Sequence, residues 1–257
     1  MAIFSKGNLK VVVSLGLVPR PWYHLVLKTC VRSVLVMIKE FPTIRAVAFD
    51  YGGVLAYFIT PQSVRKMADV AQVDGDSFES AVWKFRHELD SGAYDNTSYW
   101  TAVLDYCNSP VPQQQSIIET LVEMDLEGFS RMNQGMLCWA KQLQESGFGT
   151  VIISNMAEPT YQRLMVQQEW IQYFDVTVIS GVIGINKPDH RIFNHALKQM
   201  QLEAAQVLFL DDLPHNVAGA KEAGLHALLF SDTQTLAQKL KTNFPNLPVT
   251  GISCSTE

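Results

Sequence analysis

The sequence has few cysteines, no long apolar run and no excess of positive charge, and each shortage excludes a class of protein. The four cysteines among its 257 residues form no Cys-x-x-Cys pair, so neither a zinc site nor a disulfide framework is indicated. A reducing, cytoplasmic location is the expectation. No stretch reaches the roughly 18 apolar residues of a membrane-spanning helix. The net charge of -5 argues against binding to nucleic-acid backbones, which requires a basic face.

Acidic residues are absent from positions 1–36, which carry five basic side chains, whereas the rest of the chain has 15 basic and 25 acidic residues. This segment includes an apolar run over 11–18, typical of a signal peptide, but Arg20 follows where a small-residue cleavage site would stand. A transit peptide or membrane-surface helix, or a true start at Met37, are the alternatives. We treat residues 1–43 as a basic N-terminal extension without chemistry, and organellar targeting by its first 36 residues stays open.

Short apolar runs alternate with helical periodicity in the second half of the chain. Strands are predicted at 45–50, 150–155, 175–180, 207–211 and 227–230. Continuous apolar strands alternating with helices predict a parallel sheet that is covered on both faces. We therefore expect an α/β protein with a Rossmann-like, doubly wound core over residues 44–56 and 148–235. The mainly helical residues 57–147 are too long for a crossover and predict an inserted cap subdomain, and residues 236–257 form a C-terminal tail.

Unusual polar residues stand at the ends of four predicted strands. In chain order they are Asp50, then Ser154 and Asn155, then Lys187, then Asp211 and Asp212. Because ligands of open α/β sheets bind at the carboxyl ends of the strands, we expect these side chains to converge. Several carboxylates at one point favour a cation such as Mg²⁺, and a lysine and a hydroxyl beside them suit a phosphoryl group. Each feature alone is typical of turns and caps, and only their joint occurrence predicts an active site.

The segments 49–55, 153–155, 187–193 and 209–216 together resemble the four motifs of the haloacid dehalogenase superfamily of hydrolases. The resemblance spans residues 44–232. The position of the helical insertion, between the first two motifs, resembles that of subfamily I members with a helical cap. Residues 85–92 and 99–100 are similar to the caps of bacterial sugar-phosphate phosphatases and of the phosphatase domain of soluble epoxide hydrolase.

The resemblance implies a role for each matching residue. Asp50 is the expected nucleophile, forming an aspartyl-phosphate, and Ser154, Asn155 and Lys187 are expected to bind the phosphoryl group. The implied cofactor is Mg²⁺, held by Asp50, the backbone carbonyl of Gly52, Asp211 and Asp212. The implied partner is a small phosphorylated metabolite, with a sugar phosphate favoured, and the chain is expected to be a monomer or homodimer.

One position departs from the family pattern. Most phosphatases of this superfamily carry a second Asp two residues after the nucleophile, where this chain has Gly52. Loss of a general acid typically costs about 10²- to 10⁴-fold in rate. Three interpretations remain: a phosphatase that manages without this Asp, a non-catalytic or regulatory protein that binds phosphate or metal, and a 2-haloacid dehalogenase. Dehalogenases also lack the second Asp, but they need no metal.

Cap residues are candidates for replacing the missing acid and for selecting the substrate. Arg86, His87 and Tyr94 lie in the matching cap segment, and among these three only His87 ordinarily titrates near neutrality. Tyr57, just past the nucleophile loop, is a candidate for the wall that faces the leaving group.

Overall fold

The computed structural model describes residues 2–6, 9–13, 41–112 and 114–253, and it divides into two units between Phe41 and Pro42. In the first unit, β1 (Ala2–Lys6) pairs antiparallel with β2 (Leu9–Val13). The alternative start at Met37 lies outside the described residues. Within the described ranges, no helix combines the length and apolar character needed to cross a membrane.

A parallel five-stranded sheet forms the centre of the second unit. Its strands are β3 (Ala46–Phe49), β4 (Gly149–Ser154), β5 (Val176–Ile179), β6 (Val207–Asp211) and β7 (His226–Leu229). They lie in the order β5-β4-β3-β6-β7. Phe49 of β3 is in register with Ile152 of β4 and Leu210 of β6, so the residues that follow these strands meet at one edge.

The helices divide into those of the cap and those that follow the cap in the chain. The cap contains α1 (Pro61–Ala71), α2 (Gly75–Lys84), α3 (Arg86–Asp90), α4 (Asn96–Tyr106) and α5 (Gln115–Gly128). After it come α6 (Gln134–Glu145), α7 (Glu158–Tyr161), α8 (Ser180–Ile183), α9 (His190–Met200), α10 (Pro214–Glu222) and α11 (Thr233–Asn243). Shorter helical turns cover Gln162–Val166, Glu169–Tyr173, Ala204–Gln206 and Thr250–Ser253.

Both faces of the sheet are covered, which explains its continuous apolar strands. Val47 and Phe49 of β3 point into a cluster with α6 and α11, whereas Ala46 and Ala48 point into a cluster with α9 and α10. Phe49 packs edge-on against Trp139 of α6, with ring centroids 5.5 Å apart. The predicted doubly wound α/β fold is therefore confirmed.

The cap has a hydrophobic core of its own. The ring of Phe78 in α2 stacks on Trp100 in α4, with centroids 6.2 Å apart, and both side chains are buried. Local sequence sets where these helices begin, because the carboxylates of Asp74 and Asp95 accept hydrogen bonds from backbone N–H groups of the first turn, as N-caps do.

The structure corrects two predicted boundaries. Helix α6 was expected in the cap, but its buried Leu137, Trp139 and Leu143 pack in the core cluster beneath the sheet, so the cap helices end at Gly128 rather than near 147. The predicted tail 236–257 includes most of α11, and the indole N–H of Trp139 donates to Pro248 O at 2.6 Å. Helical periodicity reveals an apolar face, but it does not reveal which core that face joins.

Replacing Leu143 by Ala tests the place of α6 in the core. Leu143 is fully buried, so Leu143→Ala should lower the free energy of unfolding by about 2–5 kcal/mol, measured by urea denaturation. The matched control is Leu229→Ala, because Leu229 is 41% exposed and its truncation should cost far less. Equal effects of the two substitutions would contradict the packing of α6 against the sheet.

Candidate active site

Asp50 lies at the end of the central strand, in a tight loop. Its backbone N–H donates to Leu210 O at 2.9 Å, and its Oδ1 accepts from the N–H of Tyr51 at 2.7 Å. Gly53 has φ +74, and a Cβ at that position would lie 2.5 Å from Asp212 Cγ. Glycine is thus required for both the backbone conformation and the close approach of this loop to Asp212.

The ammonium of Lys187 joins the ends of two strands. Its Nζ lies 2.8 Å from Asp50 Oδ1 and 2.7 Å from Asp211 Oδ2, and the lysine side chain is fully buried. Both oxygens of Asp211 also accept from Asn216 Nδ2 at 3.1 Å. The structure thus brings together three of the residues predicted for the site, and adds Asn216 as a support for Asp211.

Both polar atoms of the Asn155 side-chain amide form hydrogen bonds with the backbone of Lys187. Its Oδ1 accepts from the N–H of Lys187 at 2.7 Å, and its Nδ2 donates to Lys187 O at 3.0 Å. The amide of Asn155 therefore positions the lysine, and its expected contact with a phosphoryl group stays a prediction. Ser154, the last residue of β4, is buried beside it.

The buried ammonium of Lys187 faces more than one carboxylate, and the pKa values of these groups are shifted as a result. Burial raises the pKa of Asp50 to about 8, with the charge of Lys187 opposing the shift and that of Asp211 adding to it. Burial also raises the pKa of Asp212 to about 6, again with a contribution from Asp211. Although burial alone would lower it, the carboxylates of Asp50 and Asp211 raise the pKa of Lys187. The ammonium therefore stays charged.

The carboxylates fit a hard divalent cation. Asp50, Asp211 and Asp212 each offer an oxygen, and these oxygens lie within 4.8 Å of one another. Asp212 Oδ1 is buried without a hydrogen-bond partner, which is costly unless something else neutralises it. An all-oxygen ligand set with surplus negative charge is the kind that Mg²⁺ prefers. Both oxygens of Asp211 already accept hydrogen bonds, so Asp50 and Asp212 are the better placed ligands.

The absence of a side chain at Gly52 leaves open space beside the backbone of the nucleophile loop. A Cβ at this position would meet only the ring of Phe58, at 3.6 Å, which is an ordinary contact. A Cβ at position 52 is thus sterically allowed, and no positive φ requires glycine there. The ring of Phe58 lies against this loop, and the guanidinium carbon of Arg131 lies 4.2 Å from the ring centroid of the neighbouring Tyr57.

The cap residues predicted to act on substrate have other contacts. Arg86 makes a two-pronged ion pair with Asp125, at 2.7 and 3.0 Å, and its guanidinium lies 5.3 Å from the ring of Tyr99. The exposed His87 is within hydrogen-bond distance of Asn186. Tyr94 packs against the cap core. Asp90, in the same segment, was not singled out from the sequence, although its acid side chain there was the available signal.

Comparison with known proteins places this geometry in a family. A model of haloacid dehalogenase-like hydrolases matches residues 44–224. The bifunctional epoxide hydrolase 2 of Rattus norvegicus is 26% identical over 235 residues, covering 82% of this chain and 41% of that protein, so the chain spans less than half of this relative. The sesquiterpene phosphatase astK of Aspergillus oryzae is 29% identical over 115 residues, covering 44% of this chain and 58% of that protein.

Solved structures agree in fold. A crystal structure of a HAD family enzyme from Bacteroides thetaiotaomicron superposes with a TM-score of 0.61 at 16% identity, covering 73% of this chain and 94% of that chain. A 2-haloacid dehalogenase from Pseudomonas syringae superposes with a TM-score of 0.53 at 19% identity, covering 73% and 86%. At such identities the likeness concerns the fold alone.

The ion pair of Arg86 gives a stability prediction with a built-in control. Helix α5 carries two carboxylates that each bind an arginine through both oxygens: Asp125 with Arg86, whose side chain is 14% exposed, and Glu123 with Arg163, whose side chain is 56% exposed. Asp125→Asn should lower the free energy of unfolding by about 3–5 kcal/mol, because it leaves a buried guanidinium without its counter-charge.

Glu123→Gln is the matched substitution and should leave the unfolding free energy almost unchanged, because solvent screens this pair. Urea denaturation of both variants is the measurement. A small effect of Asp125→Asn would mean that Arg86 is free to act elsewhere.

Proposed function

The chain belongs to the haloacid dehalogenase-like hydrolase family, and from this premise we propose that it is a Mg²⁺-dependent phosphomonoester hydrolase. Its substrate would be a small phosphorylated metabolite, and the reaction would pass through an aspartyl-phosphate on Asp50. The observation that carries the proposal is the buried Lys187 shared by Asp50 and Asp211, beside the unpartnered oxygen of Asp212. The phosphatase names among the curated relatives support it.

The residues have complementary parts in this reaction. A carboxylate oxygen of Asp50 attacks phosphorus, the bond to the leaving oxygen breaks, and water then hydrolyses the aspartyl-phosphate to release inorganic phosphate. Lys187 orients Asp50 and places positive charge beside the phosphoryl oxygens, while Asn155 holds Lys187 and the hydroxyl of Ser154 donates to a phosphoryl oxygen.

The expected metal fits the same residues. Asp50, Asp212 and the backbone carbonyl of Gly52 would hold it, with Asp211 acting directly or through water. Mg²⁺ supplies positive charge that offsets the charge of the phosphoryl oxygens. The carboxylate cluster also makes the dehalogenase alternative weaker, because such an enzyme would not need a cation at Asp212.

The leaving group would meet an aromatic wall. Phe58, 39% exposed, lies against Gly52, and its ring packs edge-on against Trp83, 42% exposed, with centroids 6.2 Å apart. A sugar ring can lay a C–H face on such rings, so a sugar phosphate remains the favoured substrate. Gly52 itself favours the second candidate, a non-catalytic protein that binds phosphate or metal.

Asp50→Asn separates these two candidates. Asn is nearly isosteric but not nucleophilic, so phosphate release from a panel of phosphomonoesters with Mg²⁺ should become undetectable while the melting temperature stays close to that of the wild type. EDTA should abolish wild-type turnover in the same assay. Turnover in Asp50→Asn equal to wild type would contradict the nucleophile assignment, and absence of wild-type turnover across the panel would favour the non-catalytic candidate.

The affinity for Mg²⁺ should increase as the pH rises. Without a cation, the pKa values of Asp50 and Asp212 are raised to about 8 and about 6, and a protonated carboxyl is a poor ligand. Mg²⁺ affinity should therefore rise between about pH 6 and pH 8, with proton release that fades at higher pH. Calorimetry in two buffers of different ionisation enthalpy measures both quantities, and an affinity that is flat over this range would contradict the assignment.

A further inference from the structure

We propose that the carboxyl group of Asp90, in the cap, is the general acid and base of this active site, in place of the acid missing at Gly52. The inference rests on the proposed phosphatase function and goes beyond it by naming the proton donor. Position 52 has room for a Cβ but carries no side chain, so the leaving oxygen must receive its proton from elsewhere.

The backbone of Asp90 is hydrogen-bonded to a residue at the edge of the sheet where the site lies. The hydroxyl of Ser180, directly after β5, donates to Asp90 O at 2.6 Å. Ser180 Oγ also accepts a hydrogen bond from the N–H of Met156 at 2.9 Å, and Met156 directly follows Ser154 and Asn155. One hydroxyl thus links Asp90 to the loop proposed to bind the phosphoryl group.

A hydrogen bond joins helix α3 to the loop that carries Lys187, and a close backbone approach joins the cap to α8. The side-chain amide of Asn186 donates to His87 O at 2.9 Å. Just after Asp90, Gly92 has φ +77, and a Cβ there would lie 3.3 Å from Gly181 O. The cap and the core therefore meet on both sides of Asp90 along the chain.

The carboxyl group itself is available. Asp90 is partly buried, and among the described residues its carboxyl makes neither a hydrogen bond nor an ion pair. The charged groups that act on it are Arg86 and Asp125 within the cap and Lys187 in the core. Because Arg86 is already bound by Asp125, it does not form an ion pair with Asp90.

The balance of these charges suits proton transfer near neutrality. Burial raises the pKa of Asp90 to about 7; Arg86 and Lys187 oppose the shift and Asp125 adds to it. A carboxyl in this range is substantially protonated at neutral pH, yet readily gives up its proton, which is what a general acid requires. Arg86 stays charged, and the exposed His87 is engaged with Asn186.

Asp90 donates a proton in the first step of the reaction and regains one in the second. As Asp50 bonds to phosphorus and the ester P–O bond breaks, the Asp90 carboxyl protonates the leaving oxygen and an alcohol departs. The resulting Asp90 carboxylate then accepts a proton from the water that attacks the aspartyl-phosphate. Inorganic phosphate leaves, and Asp90 is protonated again.

Dependence on the leaving group tests this role. A good leaving group such as p-nitrophenolate departs without protonation, whereas an alkoxide does not. With Mg²⁺ present, Asp90→Asn should lower kcat/KM for alkyl or sugar phosphates by about 10²- to 10³-fold. Its effect on p-nitrophenyl phosphate should be at least ten times smaller. Asn resembles the protonated acid in shape and charge, so the melting temperature should be preserved.

The matched control is Asp76→Asn, the same chemical change at an exposed position of the cap, which should leave both activities unchanged. Equal loss on the two substrate types, or no loss on either, would overturn the role of Asp90. If the wild-type protein hydrolyses neither substrate, the proposed phosphatase function itself fails. If it hydrolyses p-nitrophenyl phosphate and Asp50→Asn does not, the function stands and only the assignment of Asp90 is at issue.

Discussion

The buried ammonium of Lys187 is the interaction on which the rest of the site depends. Asp50 and Asp211 end adjacent strands, and the register of β3 with β6 forces them side by side. Leaving either carboxylate buried without a counter-charge would cost several kcal/mol. One lysine between them offsets part of the negative charge of both carboxylates. Within the part of the chain that the structure describes, no cationic side chain pairs with Asp212, whose pKa is raised and whose Oδ1 is buried without a hydrogen-bond partner. The same shortage of positive charge that strains the site makes it suitable for a divalent cation.

The fold and the convergence of these groups were accessible from sequence because both depend on local patterns. An apolar run ending in a polar residue marks a strand and its carboxyl end, and parallel strands bring those ends to one edge of the sheet. Asp50, Lys187 and Asp211 meet for that reason. In sequence, Lys187 and Asp211 are 24 residues apart, and Asp50 precedes both by a much longer stretch of chain.

What the sequence could not reveal depends on tertiary pairing. Arg86 looked like a substrate residue, but its partner Asp125 lies 39 residues further on, and no pattern connects the two. Asn155 looked like a phosphate ligand, while its amide holds the backbone of a residue 32 positions away. Helix α6 has the same periodicity whether it covers the cap or the sheet. In each case the residue type was noticed from the sequence, and its tertiary partner was not; the predicted substrate and phosphoryl contacts of Arg86 and Asn155 stay predictions.

Moving the acid from the nucleophile loop to the cap would change when the site is competent. An acid at position 52 would be present whether or not the cap is seated. Asp90 and its helix are joined to the core through hydrogen bonds from Ser180 and Asn186 to the cap backbone. Protonation of the leaving group, and later activation of water, would then require the closed arrangement, which also excludes bulk solvent. Substrates that keep the cap seated against the core would be selected through catalysis as well as through contact with Phe58 and Trp83.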